Sequence, residues 1–220
     1  MIKLERTNVM NMENAIRGAR NPMNSWDRMD STFDYFVSTD KLEFILGSND
    51  LALARKLVKA GSDHRKFLRQ IFVSVDITAP LYWWKEMDTY KVATVANSCS
   101  TMHKLTHKKF DVDDFSHEHL GSVSMRQLEG LVEYLNKCRD NYLGDYGKIN
   151  GQKDMWWQMI QLLPSSYNQL RTVTLNYEIL LNQYHARKHH KLDEWHNYCS
   201  WIETLPYFKE ICLEGEADGE

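Results

Sequence analysis

Apolar residues recur along the chain at two spacings, and the balance between them shifts about midway. Residues 2–9 read as a short strand and 12–20 as a brief helix, which Asn21-Pro22 ends. Between 24 and 47, Trp, Tyr and Phe mix with charges without a clean period, and the stretch reads as partly helical with loops. Asp50 is placed to cap a helix over 51–59, where Leu51, Leu53, Ala54, Leu57 and Val58 share one face before Gly61 stops it. Residues 67–79 carry Ile71, Phe72, Val73, Val75 and Ile77, a β-branched alternation that predicts a core strand. Pro80 suits the first turn of a helix running to Tyr90, rich in bulky aromatics at Tyr82, Trp83 and Trp84.

Beyond Ser124 the period is nearly all helical, with helices expected over 125–142, 153–163, 165–187 and 191–205. In the third, Val173, Tyr177, Leu180, Leu181 and Tyr184 follow the spacing of a buried stripe. Strands early and helices late, with no internal repeat, predict an α+β fold: an antiparallel or mixed sheet early in the chain, packed by a helical C-terminal half. No Pro/Gly/Ser-rich linker interrupts residues 1–213, so a single domain is expected, followed by an acidic flexible tail over 214–220.

Charge narrows the partners. With 27 Lys and Arg against 30 Asp and Glu, the net charge of −3 provides no basic field for a nucleic-acid backbone. No apolar run reaches the roughly 20 residues of a membrane span, and the first residues lack a signal peptide's apolar stretch, so a cytoplasmic protein is expected. Cys99, Cys138, Cys199 and Cys212 form no CxxC pair and read as free buried thiols.

Three groups of side chains have candidate chemistry. On a continuous helix over 165–187, Asn176, Gln183 and Arg187 would form a polar stripe, either a solvated face or a surface for an anionic nucleotide, because a guanidinium binds phosphate bidentately. His185, His189 and His190 with Lys188 and Lys191 fit a positively charged helix end better than a metal site, since no carboxylate or Cys completes a compact ligand set. Trp83, Trp84, Trp156 and Trp157 could stack on a flavin or base, but aromatics at helical spacing more often fill a core. No GxSxG, P-loop or GxGxxG is present.

Two segments carry a family resemblance. The run Leu57-Val58-Lys59-Ala60-Gly61, followed by His64, Ile71 and Ala79-Pro80, resembles the part of the flavin-dependent thymidylate synthase (ThyX) family that leads to its signature motif. That motif, Arg-His-Arg-x-x-Ser-x-Asn-Glu-x-Ser-x-Arg, falls here on Thr89-Tyr90-Lys91-Val92-Ala93-Thr94-Val95-Ala96-Asn97-Ser98-Cys99-Ser100-Thr101. Only Lys91 and Thr94 keep the chemical character, although a one-residue slip matches Asn97 and Ser100 instead. Later in the chain, Leu163-Pro164, Asn176, Asn182 and Arg187 are similar in spacing to a second family pattern, while an arginine usual just before Leu-Pro is replaced by Ile160.

The resemblance implies a ThyX-like fold and reductive methylation of dUMP or a related pyrimidine nucleotide. FAD would be the cofactor, with methylene-tetrahydrofolate and NADPH as co-substrates. It implies flavin contacts from His64, Lys91, Asn176 and Asn182, a nucleotide-phosphate contact from Arg187, and a homotetramer. It singles out no catalytic residue, because flavin and folate carry the chemistry. Loss of the motif's arginines removes fork-shaped donors worth about 1.5–3 kcal/mol each, which equally suits a relative that has lost catalysis and serves as a nucleotide-binding or assembly protein.

Overall fold

The computed structural model describes residues 2–38, 40–144 and 152–214. Most of the expected acidic tail lies outside the described residues. The strands are β1 (Lys3–Met10), β2 (Thr32–Phe36), β3 (Lys41–Ile45), β4 (Phe72–Pro80), β5 (Val95–Ser98) and β6 (Asn168–Asn176). The helices are α1 (Met12–Ala19), α2 (Ser48–Lys59), α3 (Leu81–Met87), α4 (Thr101–Lys104), α5 (Ser122–Leu143), α6 (Gln152–Leu162), α7 (Tyr177–Arg187) and α8 (Asp193–Ile202). Four strands form one sheet in the order β1-β4-β6-β5, and β2 pairs with β3 in a separate hairpin. Among the described residues no helix is long and apolar enough to cross a membrane.

The expected α+β class is what the chain adopts, but four local expectations are corrected. Residues 165–187 are not one helix: β6 occupies the first part and α7 only the second. The β-branched run Thr172-Val173-Thr174 alternates, with Val173 and Leu175 buried and Thr172 exposed, so strand pairing in the sheet overrides the helical reading. The sheet therefore draws a central strand from the C-terminal half. Residues 24–47 contain a hairpin, with Phe33 opposite Phe44 and Tyr35 opposite Leu42. These apolar residues alternate with Asp34 and Glu43, a period of two that the neighbouring charges obscure. The predicted strand over 67–79 divides into a 3-10 turn, Lys66–Gln70, and β4.

The chain forms two compact units. One comprises Met1–Lys3, Asp76–Lys91 and Ala96–Thr172; the other comprises Leu4–Val75, Val92–Val95 and Val173–Glu220. In the first, Leu105, Phe110, Phe115, Leu128, Val132, Leu135, Cys138 and Met159 make a core that α5 and α6 close. Both main-chain groups of Phe110 are met by the Asn136 amide, at 2.8 and 2.9 Å, which fixes the incoming loop to α5. In the second, Ile16, Leu68, Ile71, Trp195, Tyr198 and Phe208 are all but fully buried. Tyr177 donates to Pro206 O at 2.7 Å and meets the Phe208 ring edge-on, so the start of α7 is held to the C-terminal segment.

The fourth correction concerns the cap of α2. Asp50 lies inside the first turn and is buried, while Gly47 is the N-cap residue and has no side chain to offer. The cap comes from a distance: the Asp30 carboxylate accepts from Asn49 N at 2.8 Å and Asp50 N at 3.0 Å. Only glycine permits the approach, because a Cβ at position 47 would lie 2.5 Å from the Asp30 main-chain carbonyl carbon. The Asn49 N–H holds the exposed Asp30 carboxyl below its ordinary pKa. A lowered folded pKa means the carboxylate stabilises the fold above the ordinary Asp range, near 3.9, and loses that contribution as pH falls through the folded value. Asp30→Ala is expected to lower stability at pH 7 by about 1 kcal/mol, the usual worth of a cap. In urea melts at pH 7 and pH 3 the gap between wild type and variant should narrow in acid; an equal gap at both would show that the charge contributes nothing.

Candidate functional site

His64 sits in the turn that follows α2, built on Gly61 at φ +94°, with His64 N and Arg65 N both donating to Gly61 O at 3.0 Å. Its exposed ring lines a cavity of about 480 Å³. Leu57, Phe67 and Pro22 give that cavity apolar surface, and Asp63, Lys66 and Gln70 give it polar groups. Such a lining can sandwich a flat ring and hydrogen-bond its edge.

The cavity's shape depends on a buried ion pair. Arg20 Nε donates to Asp50 Oδ1 at 2.5 Å, with side-chain exposures of 4% and 0%. Arg20 Nη1 also donates to Ser25 O at 3.2 Å, while Asp50 Oδ2 accepts from Ser31 N at 2.9 Å and Ser31 Oγ at 2.5 Å. The end of α1, whose Gly18 and Ala19 line the cavity, is thereby pinned to the first turn of α2, the helix whose far end supplies Leu57.

The other resemblance-derived residues fall at different places. Arg65, next to His64, donates through Nε to Glu178 Oε1 at 3.2 Å and through Nη2 to Asn182 Oδ1 at 3.4 Å. The His64 turn and Asn182 are thus joined through Arg65. Glu178 is buried in the first turn of α7, where the helix dipole favours its charge. Arg187 is half-buried in the last turn of α7 with its guanidinium 4.7 Å from the centre of the Trp195 ring. Asn176 is buried and caps α7, its Oδ1 accepting from Ile179 N at 3.0 Å. Gln183 is fully buried and accepts from Tyr198 OH at 2.7 Å. The expected stripe of Asn176, Gln183 and Arg187 on one helix face therefore does not exist, because the helix begins only after Asn176 and two of the three side chains point into the interior. Tyr184 donates to Glu203 Oε1 at 2.7 Å, and burial together with that carboxylate pushes its hydroxyl up to about 12.

Lys91 belongs to the other unit, where it is exposed in the loop between α3 and β5. This unit also contains a cleft of about 210 Å³ that sequence reasoning missed. Cys99, Ser100, Thr101, Lys104 and Lys108 line one side, and Tyr167 and Gln169 are among the residues of the other. Ser100 caps α4, its Oγ accepting from His103 N at 3.2 Å. Lys108 pairs with Asp114, and Lys104 Nζ lies 3.4 Å from His107 Nε2. With Lys108 paired to Asp114, itself part of the lining, Lys104 and the hydroxyls of Ser100 and Thr101 are the groups an oxyanion can meet here. The available signal was the run Ser100-Thr101 followed by Lys104 and Lys108, but nothing local says that these close on β6.

The remaining candidates resolve simply. Trp83 and Trp84 are buried core residues, and Trp157 is partly exposed. Cys138, Cys199 and Cys212 are buried as expected, whereas Cys99 is exposed. Among the described residues no group of three or more His, Cys, Asp or Glu is placed to hold a metal ion.

No protein-family model matches the chain, and no curated protein matches it in sequence. Solved structures do match. A Helicobacter pylori thymidylate synthase X (ThyX) structure with FAD and dUMP aligns over 98% of this chain and 99% of its own, with a TM-score of 0.67 at 14% identity. A second Helicobacter pylori flavin-dependent thymidylate synthase ThyX, complexed with FAD and dUMP, aligns over 97% of both chains, with a TM-score of 0.63 at 15% identity. A UMP/dUMP methylase, PolB from Streptomyces cacaoi bound with 5-Br dUMP, aligns over 99% of this chain and 95% of its own, with a TM-score of 0.58 at 12% identity. At such identities the likeness is one of fold: the chain has the ThyX fold along nearly its whole length.

The cavity at His64 ties a prediction to the Arg20–Asp50 pair. Asp50→Ala leaves a buried guanidinium without its counter-charge and is expected to cost about 3–5 kcal/mol, read as a fall in urea midpoint at unchanged slope. A loss below about 1 kcal/mol would mean that water reaches the pair and that it does not hold α1 to α2.

Proposed function

We propose that this chain binds a pyrimidine nucleotide of the dUMP class and, with flavin, acts in its reductive methylation. The observation that carries the reading is the full-length ThyX fold of a chain that has His64 on an open cavity of suitable lining. That cavity suits a flat ring system, so FAD is the cofactor assigned to it, with His64 in its lining. Asn182 in the same unit and Lys91 in the other are flavin contacts that the resemblance implies. Asn176, whose Oδ1 caps α7, is retained as a flavin contact on the resemblance. The resemblance assigns the phosphate contact to Arg187. The cleft at Ser100, Thr101 and Lys104 is a separate place in the other unit where an anion can be met. When bound, flavin would supply hydride, with methylene-tetrahydrofolate as one-carbon donor and NADPH as reductant. The protein's own groups bind, orient and exclude water.

A second reading is favoured by a specific observation. Arg65, beside His64, is already neutralised by Glu178, and no arginine lies between residues 89 and 101. Positive charge toward an anionic cofactor is therefore thin, as suits a non-catalytic nucleotide-binding or assembly protein. Absorbance of the purified protein separates the two, since bound oxidised flavin is yellow. Calorimetry with dUMP, with and without FAD, tests both: Arg187→Ala should weaken dUMP binding by about 1.5–3 kcal/mol, roughly ten- to hundredfold. Wild type that binds neither ligand at millimolar concentration ends the enzyme reading, and an unchanged Arg187→Ala affinity removes that residue from the site.

A homotetramer belongs to the same proposal. The hairpin exposes Phe33, Tyr35 and Leu42 on one face at 43%, 54% and 64%, a contiguous apolar surface of the kind that assembly covers. Light scattering at micromolar concentration should return a mass near four chains; a monomer would rule out both the assembly and a shared site.

A further inference from the structure

The wall of the 210 Å³ cleft is held by a relay of side chains that no ligand contact requires. Gln169 Nε2 donates to Cys99 O at 2.9 Å and to Thr101 Oγ1 at 3.2 Å, so one amide grips both ends of the 99–101 turn. Its other atom is also engaged, with Oε1 accepting from Arg171 Nε at 3.0 Å. Arg171 in turn donates through Nη1 to Asp88 at 2.7 Å and lies over the Trp84 ring with its guanidinium carbon 4.2 Å from the centroid. Trp84 closes the circuit, its indole N–H donating to Gln169 O at 3.0 Å. The main chain follows the same path, since Cys99 N donates to Leu170 O at 2.9 Å.

We propose that Gln169, oriented by Arg171, is a positioning residue that sets the 99–101 turn and so gives the cleft its anion-recognising shape. Ser100 and Thr101 hang directly on this turn, and α4, which bears Lys104, starts from it. An amide suits the post because it must donate to the turn and accept from Arg171 at once. The arginine cannot be exchanged for lysine without loss: stacking on Trp84, bonding Asp88 and bonding Gln169 together need a planar fork. Ligand recognition here rests on the nucleotide reading above, whereas the positioning role stands on the geometry of this unit alone.

The test uses the full chain and two readouts: amide hydrogen exchange of residues 99–105, and dUMP affinity by calorimetry. Gln169→Glu keeps the size of the side chain and its acceptor for Arg171 but removes the N–H donors. It is expected to speed exchange in 99–105 by roughly tenfold, leave α5 protected as in wild type, and weaken dUMP binding by roughly tenfold. Arg171→Lys should move both readouts in the same direction by a smaller factor. Unchanged exchange in 99–105, or exchange that rises equally in α5, would overturn the proposal, and so would faster local exchange with undiminished dUMP affinity. Wild type that binds no dUMP sinks the nucleotide reading instead, and the exchange of 99–105 measured against α5 then decides the positioning role by itself.

Discussion

The unit that carries His64 depends on the buried pair of Arg20 and Asp50. Two charges in so dry a place are costly to desolvate, and the cost is offset only because nearly every polar atom is given a partner. The guanidinium reaches Ser25 and the carboxylate reaches Ser31, so one pair gathers the end of α1, the turns after it, the strand leading into the hairpin and the start of α2. Asp30, one residue from Ser31, is thereby brought to α2 to cap it, and Gly47 must stay bare to let it in. The cavity beside His64 is the space left between α1 and α2 once they have been fixed in this way.

Arginine in this molecule is spent largely on structure. Arg20 faces Asp50, Arg65 faces Glu178 and Asn182, Arg171 faces Asp88, Gln169 and Trp84, and Arg187 lies on Trp195. The permanent charge and planar fork that make arginine the natural partner of phosphate also make it a strong internal brace. Exposed lysines such as Lys91 and Lys104 are point charges rather than forks.

Sequence alone was sufficient wherever a segment's period was decided by its own residues. The alternation of Val73, Val75 and Ile77 specified β4, the apolar face of Ala54 and Val58 specified α2, and the helical period over 125–142 located α5. The α+β class and the ThyX resemblance followed from those elements and from two spaced motifs. What only the tertiary structure decided was where a segment's preference yields to its neighbours. Residues 168–176 have apolar spacing compatible with either period, and pairing within the sheet selected the strand, which placed Asn176 at the N-cap of α7 and Gln183 against Tyr198. The Asp30 cap, the Arg20–Asp50 pair and the Arg171–Asp88 bond join residues 19 to 83 positions apart. No local pattern records such pairings, because they form only when folding brings distant segments together.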